Sequence, residues 1–416
     1  MLRAFLVDDE ELARDRLKCL LAEVGGVAVV GEASDGEEAL RAIPRVNPDL
    51  LFLDIQMPGR TGMEVASALP PPRPRIIFCT AFDHYAIQAF EQHAVDYLLK
   101  PLSRERLHAA VGKVRDTVES EERILRELTS ASEAQALLYP SGGPGLATLE
   151  VSGACRSARE VGGDYYDFLP LGDGRMALAV GDVSGKGLFA GLLMAGLQGR
   201  VQSLARRYGE DLEALFIELN RVLHAVTGSN RYVTLFYAVY DEAARRLTYV
   251  NAGHPAPILL RRGGAAPGGV ALSETLPTSP TSRSRVTSHD VLEAPPTSSA
   301  MAPEPRIAGT TFVDANSSVV LEATGTVVGL LPEVTYKQAS VGMSAGDLLL
   351  IFSDGLIETR TPSGEEWGTA GVKAAAVGSP ERSAEALRDH ILKAAERFRG
   401  GAPVEDDVTL VVARVR

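Results

Sequence analysis

Four aspartates in the second half of the chain have the type and setting for metal chemistry: Asp164, Asp182, Asp354 and Asp406. They lie in the strings VGGDYYD, AVGDVSGKG, IFSDGLIE and EDDVTLVV. Each adjoins a short apolar, β-branched run and small or turn-forming residues. Carboxylates at strand ends, allowed by glycine to approach one another, can hold two hard divalent cations. One such aspartate carries no information. Four in this order point to a metal-dependent hydrolase.

A second acid cluster lies near the N-terminus. Asp8 and Asp9 follow the apolar run Ala4–Val7, Asp54 follows Leu50–Leu53, Thr80 follows Ile76–Cys79, and Lys100 follows Val95–Leu99. With Val27–Val30 these runs predict five strands, separated by helical patterns at Glu11–Leu21 and Gly36–Arg45. Alternating strands and helices imply a doubly wound parallel sheet over residues 1–115, with ligands at the carboxyl ends of its strands. Three acids, a hydroxyl and an ammonium would converge there. The acids can hold Mg²⁺, and Asp54 can attack a phosphoryl group to give an acyl phosphate. Lys100 can neutralise that phosphate and Thr80 can hydrogen-bond it.

With the string LDIQMPGRTG around Asp54, this constellation resembles the receiver domain of bacterial response regulators. The stretch TAFDHYAIQAFEQHAVDYLLKPL is most similar to receivers joined to LytTR-type DNA-binding domains. The resemblance implies that Asp54 is the phosphoacceptor, that Asp8, Asp9 and Asp54 carry Mg²⁺, and that Thr80, Tyr97 and Lys100 form the switch. It also implies a cognate histidine kinase.

Beyond Pro101, Ser103 is a candidate N-cap for a long helix. Leu107, Val111, Val114, Val118, Leu125 and Leu128 recur four and three apart, interrupted at Glu121. Such a repeat over residues 104–138 predicts a helical linker able to pair as a parallel coiled coil, and so a homodimer. Leu107 and Val111 are expected to pack on the receiver's own sheet.

The remainder, 148–416, reads as one α+β domain with an insertion at about 263–320. Arg175–Val180, Tyr232–Tyr240, Leu247–Val250, Asp347–Phe352 and Val408–Ala413 are strand-like. Leu188–Arg206 and Leu212–Val226 are helical, with Leu212, Leu215, Phe216, Leu219 and Leu223 on one face. The insertion is rich in Ser, Thr, Pro and Gly and is expected to be disordered. Closing so long a loop costs little more than closing a short one.

The strings EVGGDYYDF, AVGDVSGKG, NRYVTLFYAVYD, NAGHPAPILL, GDLLLIFSDGLIE and EDDVTLVV, in that order, resemble the PPM (type 2C) serine/threonine phosphatases of the SpoIIE/RsbU-like branch. That likeness implies a β-sandwich flanked by helices and two Mn²⁺ or Mg²⁺ ions. It implies Asp164, Asp182, Asp354 and Asp406 as catalytic ligands, with the Val183 carbonyl. Asp407 competes with Asp406 for the last place, and the family order favours Asp406. Two such ions lower the pKa of a water and orient it for in-line attack on phosphorus. The resemblance further implies a phosphorylated STAS-type anti-sigma-factor antagonist as substrate. Glu160, Lys186, Asn251, His254 and Trp367 are weaker candidates, for which turn, surface or packing roles are preferred.

Composition bounds the alternatives. A chain of 416 residues exceeds one ordinary core. A net charge of −12 opposes sequence-independent nucleic-acid binding. Three widely spaced cysteines fit no zinc pattern and read as free thiols of a reducing cytoplasm. MLRAFLVDDE is not a signal peptide, and no apolar stretch reaches membrane-spanning length, so a cytoplasmic protein without a membrane or nucleic-acid partner is expected. GDVSGKG lacks the last element of a nucleotide P-loop. A response regulator with phosphatase output is the leading reading. The rival is a catalytically weak receiver-linked adaptor or anti-sigma antagonist that acts by binding.

Overall fold

The computed structural model describes residues 1–81, 94–140, 142–143, 145–227, 230–261, 271–272, 313–314, 318–381 and 383–416. The chain divides into two compact units, Met1–Glu127 and Leu128–Arg416.

In the first unit, β1 (Leu2–Val7), β2 (Val27–Ala33), β3 (Leu50–Leu53), β4 (Arg75–Thr80) and β5 (Asp96–Leu99) form a parallel sheet of order β2-β1-β3-β4-β5. The period-2 rule accounts for its two cores. Phe5, Val7, Leu51, Leu53, Ile76 and Phe78 face one side, while Ala4, Leu6, Leu50, Phe52, Ile77 and Cys79 face the other. Helices α1 (Glu11–Val24), α2 (Gly36–Val46) and α3 (Gly62–Ala68) connect the first strands. Asp35 caps α2 through Glu38 N–H, and Thr61 with Glu64 forms a capping box on α3. The run FDHYAIQAFEQH, part of the LytTR-like stretch, lies outside the described residues.

Helix α4 (Arg104–Ala136) begins where Ser103 accepts a hydrogen bond from Arg106 N–H at 3.2 Å. Its apolar series is shared differently from the coiled-coil expectation. Leu107, Val111 and Val114 are fully buried in the receiver core and Val118 packs against it. Glu121 pairs with Arg75 of the same unit. The compact unit runs to Glu127. Past Val118 the helix exposes large apolar side chains, Ile124 at 53% and Leu125 at 56%.

The second unit has four layers. One antiparallel sheet has the order β12-β15-β10-β9-β8-β7 and the other β13-β14-β11-β16-β17-β6. Their strands are β6 (Leu149–Arg156), β7 (Tyr165–Gly172), β8 (Arg175–Val183), β9 (Val233–Asp241), β10 (Arg246–Ala252), β11 (Ile258–Leu260), β12 (Ala271–Leu272), β13 (Val313–Asp314), β14 (Ser318–Val320), β15 (Ala339–Gly342), β16 (Leu348–Phe352) and β17 (Val408–Val415). The inner faces meet through Phe168, Leu178, Phe236, Leu349, Ile351 and Val411. Outside the first sheet lie α5 (Leu188–Tyr208) and α6 (Leu212–Thr227), which contribute Met194, Leu197, Phe216 and Leu219. Outside the second lie α7 (Asp354–Ile357), α8 (Gly368–Val377) and α9 (Ala384–Arg399), with Leu356, Val372 and Ile391 buried beneath. This is the expected α+β sandwich flanked by helices. Within the 263–320 stretch, β12, β13 and β14 are short paired strands. Most of that stretch lies outside the described residues.

Candidate active site: two clusters of carboxylates

Parallel strands end together, and this places the first cluster. Asp8 and Asp9 follow β1, Asp54 follows β3, Thr80 ends β4 and Lys100 follows β5. Carboxylate oxygens of Asp8, Asp9 and Asp54 lie within 4.8 Å of one another. Lys100 Nζ stands 2.7 Å from both Asp8 Oδ2 and Asp54 Oδ2. Burial pushes the Asp54 carboxyl above its ordinary pKa, against the pull of Lys100. Burial disfavours the Lys100 charge, but its hydrogen bonds to Asp54 and Asp8 prevail and raise its pKa. Thr80 is fully buried, and its hydroxyl has no hydrogen-bond partner among the described residues. Tyr97 is buried on β5. The loop after Asp54 folds back so closely that a Cβ on Gly62 would run into the Asp54 carbonyl.

The second cluster is assembled from both sheets. Asp164 directly precedes β7, and Tyr165 pairs with Gly181, so Asp164 stands beside Asp182 near the end of β8. Val183 is the last residue of β8. Asp354 opens α7 just after β16, and Asp406 lies in the turn before β17. The sheets are tied where Thr409 Oγ1 of β17 donates to Asp164 Oδ2 at 2.6 Å. Ser353 N–H donates to Thr409 O at 3.1 Å, and Thr409 N–H to Ser353 Oγ at 2.9 Å.

Asp406 and Asp407 differ. Both Asp407 oxygens are taken by backbone, Oδ1 from Ala158 N–H and Oδ2 from Gly163 N–H, each at 2.7 Å. Asp406 is half-exposed, with Oδ2 2.9 Å from Lys186 Nζ. Lys186, a weaker candidate in the sequence, also donates to Glu405 O at 2.8 Å.

The electrostatics record crowding of like charge. Asp164 lies well above the ordinary carboxylate range, first because it is buried and next because of Asp182. Asp182 is pushed up to about 7 by burial, then by Asp354, Asp406 and Asp407. Asp354 is raised by burial and by Asp406. An all-carboxylate donor set whose members destabilise one another's charges fits hard divalent cations such as Mg²⁺ or Mn²⁺. Among the described residues, only Asp8, Asp9 and Asp54 form a trio with oxygens within 4.8 Å, so the second cluster is the wider. Beside Asp406 a groove of about 760 Å³ is lined by Arg156, Lys186, Gly355, Arg360, Arg399 and Glu405, among others.

The weaker candidates separate from this centre. Asn251 is fully buried; it accepts from His254 N–H at 2.9 Å and donates to Leu321 O at 3.1 Å, which makes it a turn residue. His254 is buried with Nδ1 3.0 Å from Thr234 Oγ1. Glu160 is exposed, and Trp367 packs near Phe398. Sequence reasoning missed Thr409, the anchoring role of Asp407, and Gln135 and Tyr139. Thr409 had a signal, a hydroxyl at an inward position within the apolar run of β17. The others had none, because their partners are backbone atoms distant in sequence.

A family model described as Stage II sporulation protein E (SpoIIE) matches residues 172–281 and 310–416, more than half of the chain. A model described as response regulator receiver domain matches residues 4–112. The transcriptional regulatory protein BtsR of Escherichia coli K12 is 44% identical over 139 residues, 33% of this chain and 56% of BtsR. An uncharacterized response regulatory protein of Vibrio cholerae is 50% identical over 115 residues, 27% of this chain and 48% of that protein. The chain thus spans about half the length of these curated relatives. Among solved structures, the SiaA-PP2C domain of Pseudomonas aeruginosa matches with a TM-score of 0.52 at 14% identity, over 71% of this chain and 98% of that one, a likeness of fold.

Proposed function

This chain belongs to the stage II sporulation protein E (SpoIIE) family and carries a response-regulator receiver domain, and on that premise we propose that it is a response regulator whose output is metal-dependent removal of phosphate from phosphoserine or phosphothreonine of a partner protein. The observation that carries this reading is the gathering of Asp164, Asp182, Asp354 and Asp406 at one end of the sandwich, beside an open groove. Those four side chains, with the Val183 carbonyl, would hold two Mn²⁺ or Mg²⁺ ions, and Asp8, Asp9 and Asp54 would hold one Mg²⁺ in the receiver. Bound ions supply Lewis-acid polarisation and a nucleophile competent at neutral pH. The chain's own part is to fix the acids. Thr409 orients Asp164, and Asp407 anchors the loop before it through Ala158 and Gly163. The groove supplies room and cationic side chains for a phosphorylated segment, with Lys186 and Arg360 on its wall.

Asp54 is the phosphoacceptor for a cognate histidine kinase in this reading, with Thr80, Tyr97 and Lys100 as the switch. Helix α4 carries the change, as part of a homodimer, and the direction is activation. A phosphorylated STAS-type anti-sigma-factor antagonist is the substrate, and the cytoplasm is the setting. No helix among the described residues is long and apolar enough to cross a membrane. Hydrolysis of p-nitrophenyl phosphate and of a phosphoserine peptide, with Mn²⁺ supplied, tests the enzyme reading. Wild type should far exceed Asp182→Ala. Equal rates would leave the adaptor reading in its place. Turnover with and without beryllofluoride tests the coupling, and no change would sink it.

A further inference from the structure

Residues 135–139, where α4 ends, make contacts that the ligand set does not explain. Gln135 is 7% exposed, deeply buried for a polar side chain. Its amide is satisfied by a single backbone unit. Nε2 donates to Gly162 O at 2.8 Å, and Oε1 accepts from Gly162 N–H at 3.0 Å. Gly162 sits two residues before Asp164, and its Cβ position is closed by Asp407 and Ser157. Tyr139 donates its hydroxyl to the carbonyl of Asp164 itself at 2.8 Å and accepts from Cys155 Sγ at 3.3 Å. The Tyr139 ring stacks on Tyr166 with centroids 5.2 Å apart and an interplanar angle of 15°.

The same segment reaches the element that follows Asp182. Gln198 of α5 donates to Leu138 O at 2.6 Å, and at Gly191 the helix lies against Gln135 and Val161. Gly163 is held from the opposite side by Asp407 and by Val183 N–H. The loop Val161–Asp164 is thus gripped between Asp407 and residues 135–139. Its backbone groups are buried and need such partners, since a buried polar group left unpaired is costly.

We propose that Gln135 and Tyr139 are positioning residues of the metal centre: they hold the backbone that aims Asp164, and so set the centre's affinity for divalent cations. This rests on the hydrolase reading above. Neither side chain is among those that would hold the metal. They act through the carbonyl and amide of Gly162 and the carbonyl of Asp164, as supports behind metal ligands do elsewhere.

The test is Mn²⁺ titration of the full-length chain followed by the free-ion electron paramagnetic resonance signal, with Asp182→Ala giving the receiver-only baseline. Gln135→Leu, of similar volume but without the amide, should weaken Mn²⁺ binding above that baseline by about 10–100-fold. Tyr139→Phe keeps the stacking and removes one hydrogen bond, and should weaken it by about 2–10-fold. Thermal melting of the metal-free proteins separates the alternatives. A lower melting temperature with unchanged Mn²⁺ affinity in both variants would mean that the segment only stabilises the fold, and would overturn the proposal. If Gln135→Leu does not fold, Tyr139→Phe decides alone. Wild-type binding no greater than the Asp182→Ala baseline would overturn the hydrolase reading and this inference together. Wild-type binding above it, matched by both variants, would overturn this inference only.

Discussion

In the receiver, three acids stand at neighbouring strand ends of one parallel sheet, and one ammonium, Lys100, lies 2.7 Å from two of them. In the sandwich, the acids come from two sheets and a short helix, and among the described residues the ammonium paired with them, Lys186, bonds the half-exposed Asp406 and not the buried acids. The receiver cluster is tight and already balanced by an internal cation. The sandwich cluster is wider, and its members push one another's pKa values up, Asp182 to about 7. The difference fits the two chemistries of the proposed function. In that reading one site accepts a phosphoryl group and keeps it, so a fixed lysine serves. The other acts on phosphate and releases it, so its positive charge would come from exchangeable ions.

The sharpest break of this comparison is to disable each site separately. Asp54→Asn should take up no phosphoryl group from acetyl phosphate, a complete loss read on a phosphate-affinity gel. Asp182→Ala should be phosphorylated at Asp54 as fully as wild type, while Mn²⁺-supported hydrolysis falls by roughly 10²–10³-fold. If Asp182→Ala also lost phosphate uptake, the two sites would not be independent chemistries.

The two glycines beside the acids sharpen it further. A Cβ on Gly62 would meet the Asp54 carbonyl, which is backbone and cannot step aside. A Cβ on Gly162 would meet side-chain oxygens of Asp407 and Ser157, which can. Gly62→Ala should therefore destabilise the receiver by about 1–3 kcal/mol, measured by urea unfolding. Gly162→Ala should cost less stability but weaken Mn²⁺ binding, because the yielding group is the anchor of the Asp164 loop.

The same contrast explains what the sequence disclosed. The receiver was legible because parallel strands deliver their ends to one edge, so Asp8, Asp54, Thr80 and Lys100 could be placed by counting strands. The sandwich acids could be named only as an ordered set of strings. No local rule says that Asp164 will be bonded by Thr409, 245 residues away. Between Asp406 and Asp407 the sequence favoured Asp406 only through the family order, and the backbone hydrogen bonds in which the two differ cannot be revealed by spacing. The apolar series on α4 was legible only in part for a related reason. A heptad-like repeat reports an apolar face but not what covers it, and for Val114 and Val118 that cover is the receiver's own sheet.

The units should also part in their response to acid. His254, in the sandwich, is held by burial at about 3, against an ordinary 6.5. Between those values the unfolded chain binds the extra proton, so stability rises with pH. The contribution is complete above about pH 6.5 and is lost as pH falls toward 3, by at most about 1.4 kcal/mol per pH unit. The receiver has no buried histidine among its described residues. Urea unfolding at pH 7.5 and 5.0 should show wild type losing up to about 2 kcal/mol more of sandwich stability than His254→Gln. The receiver transition should show no such difference between the two proteins. Equal losses in both proteins would assign the acid sensitivity to other groups.

The smallest effect on stability lies on α4, beyond the receiver's core. Ile124 and Leu125 are 53% and 56% exposed, whereas Leu107 of the same helix is fully buried. Replacing an exposed side chain removes little packing, so Ile124→Glu and Leu125→Glu should change unfolding free energy by no more than about 0.5 kcal/mol. If this stretch pairs with a second copy, as the homodimer reading requires, two carboxylates placed on it would meet their equivalents across the axis and weaken association. Sedimentation equilibrium should then show a dimer for wild type and a shift toward monomer for both variants. A dimer unchanged by either substitution would move the contact away from these residues and leave the helix as a connector within one chain.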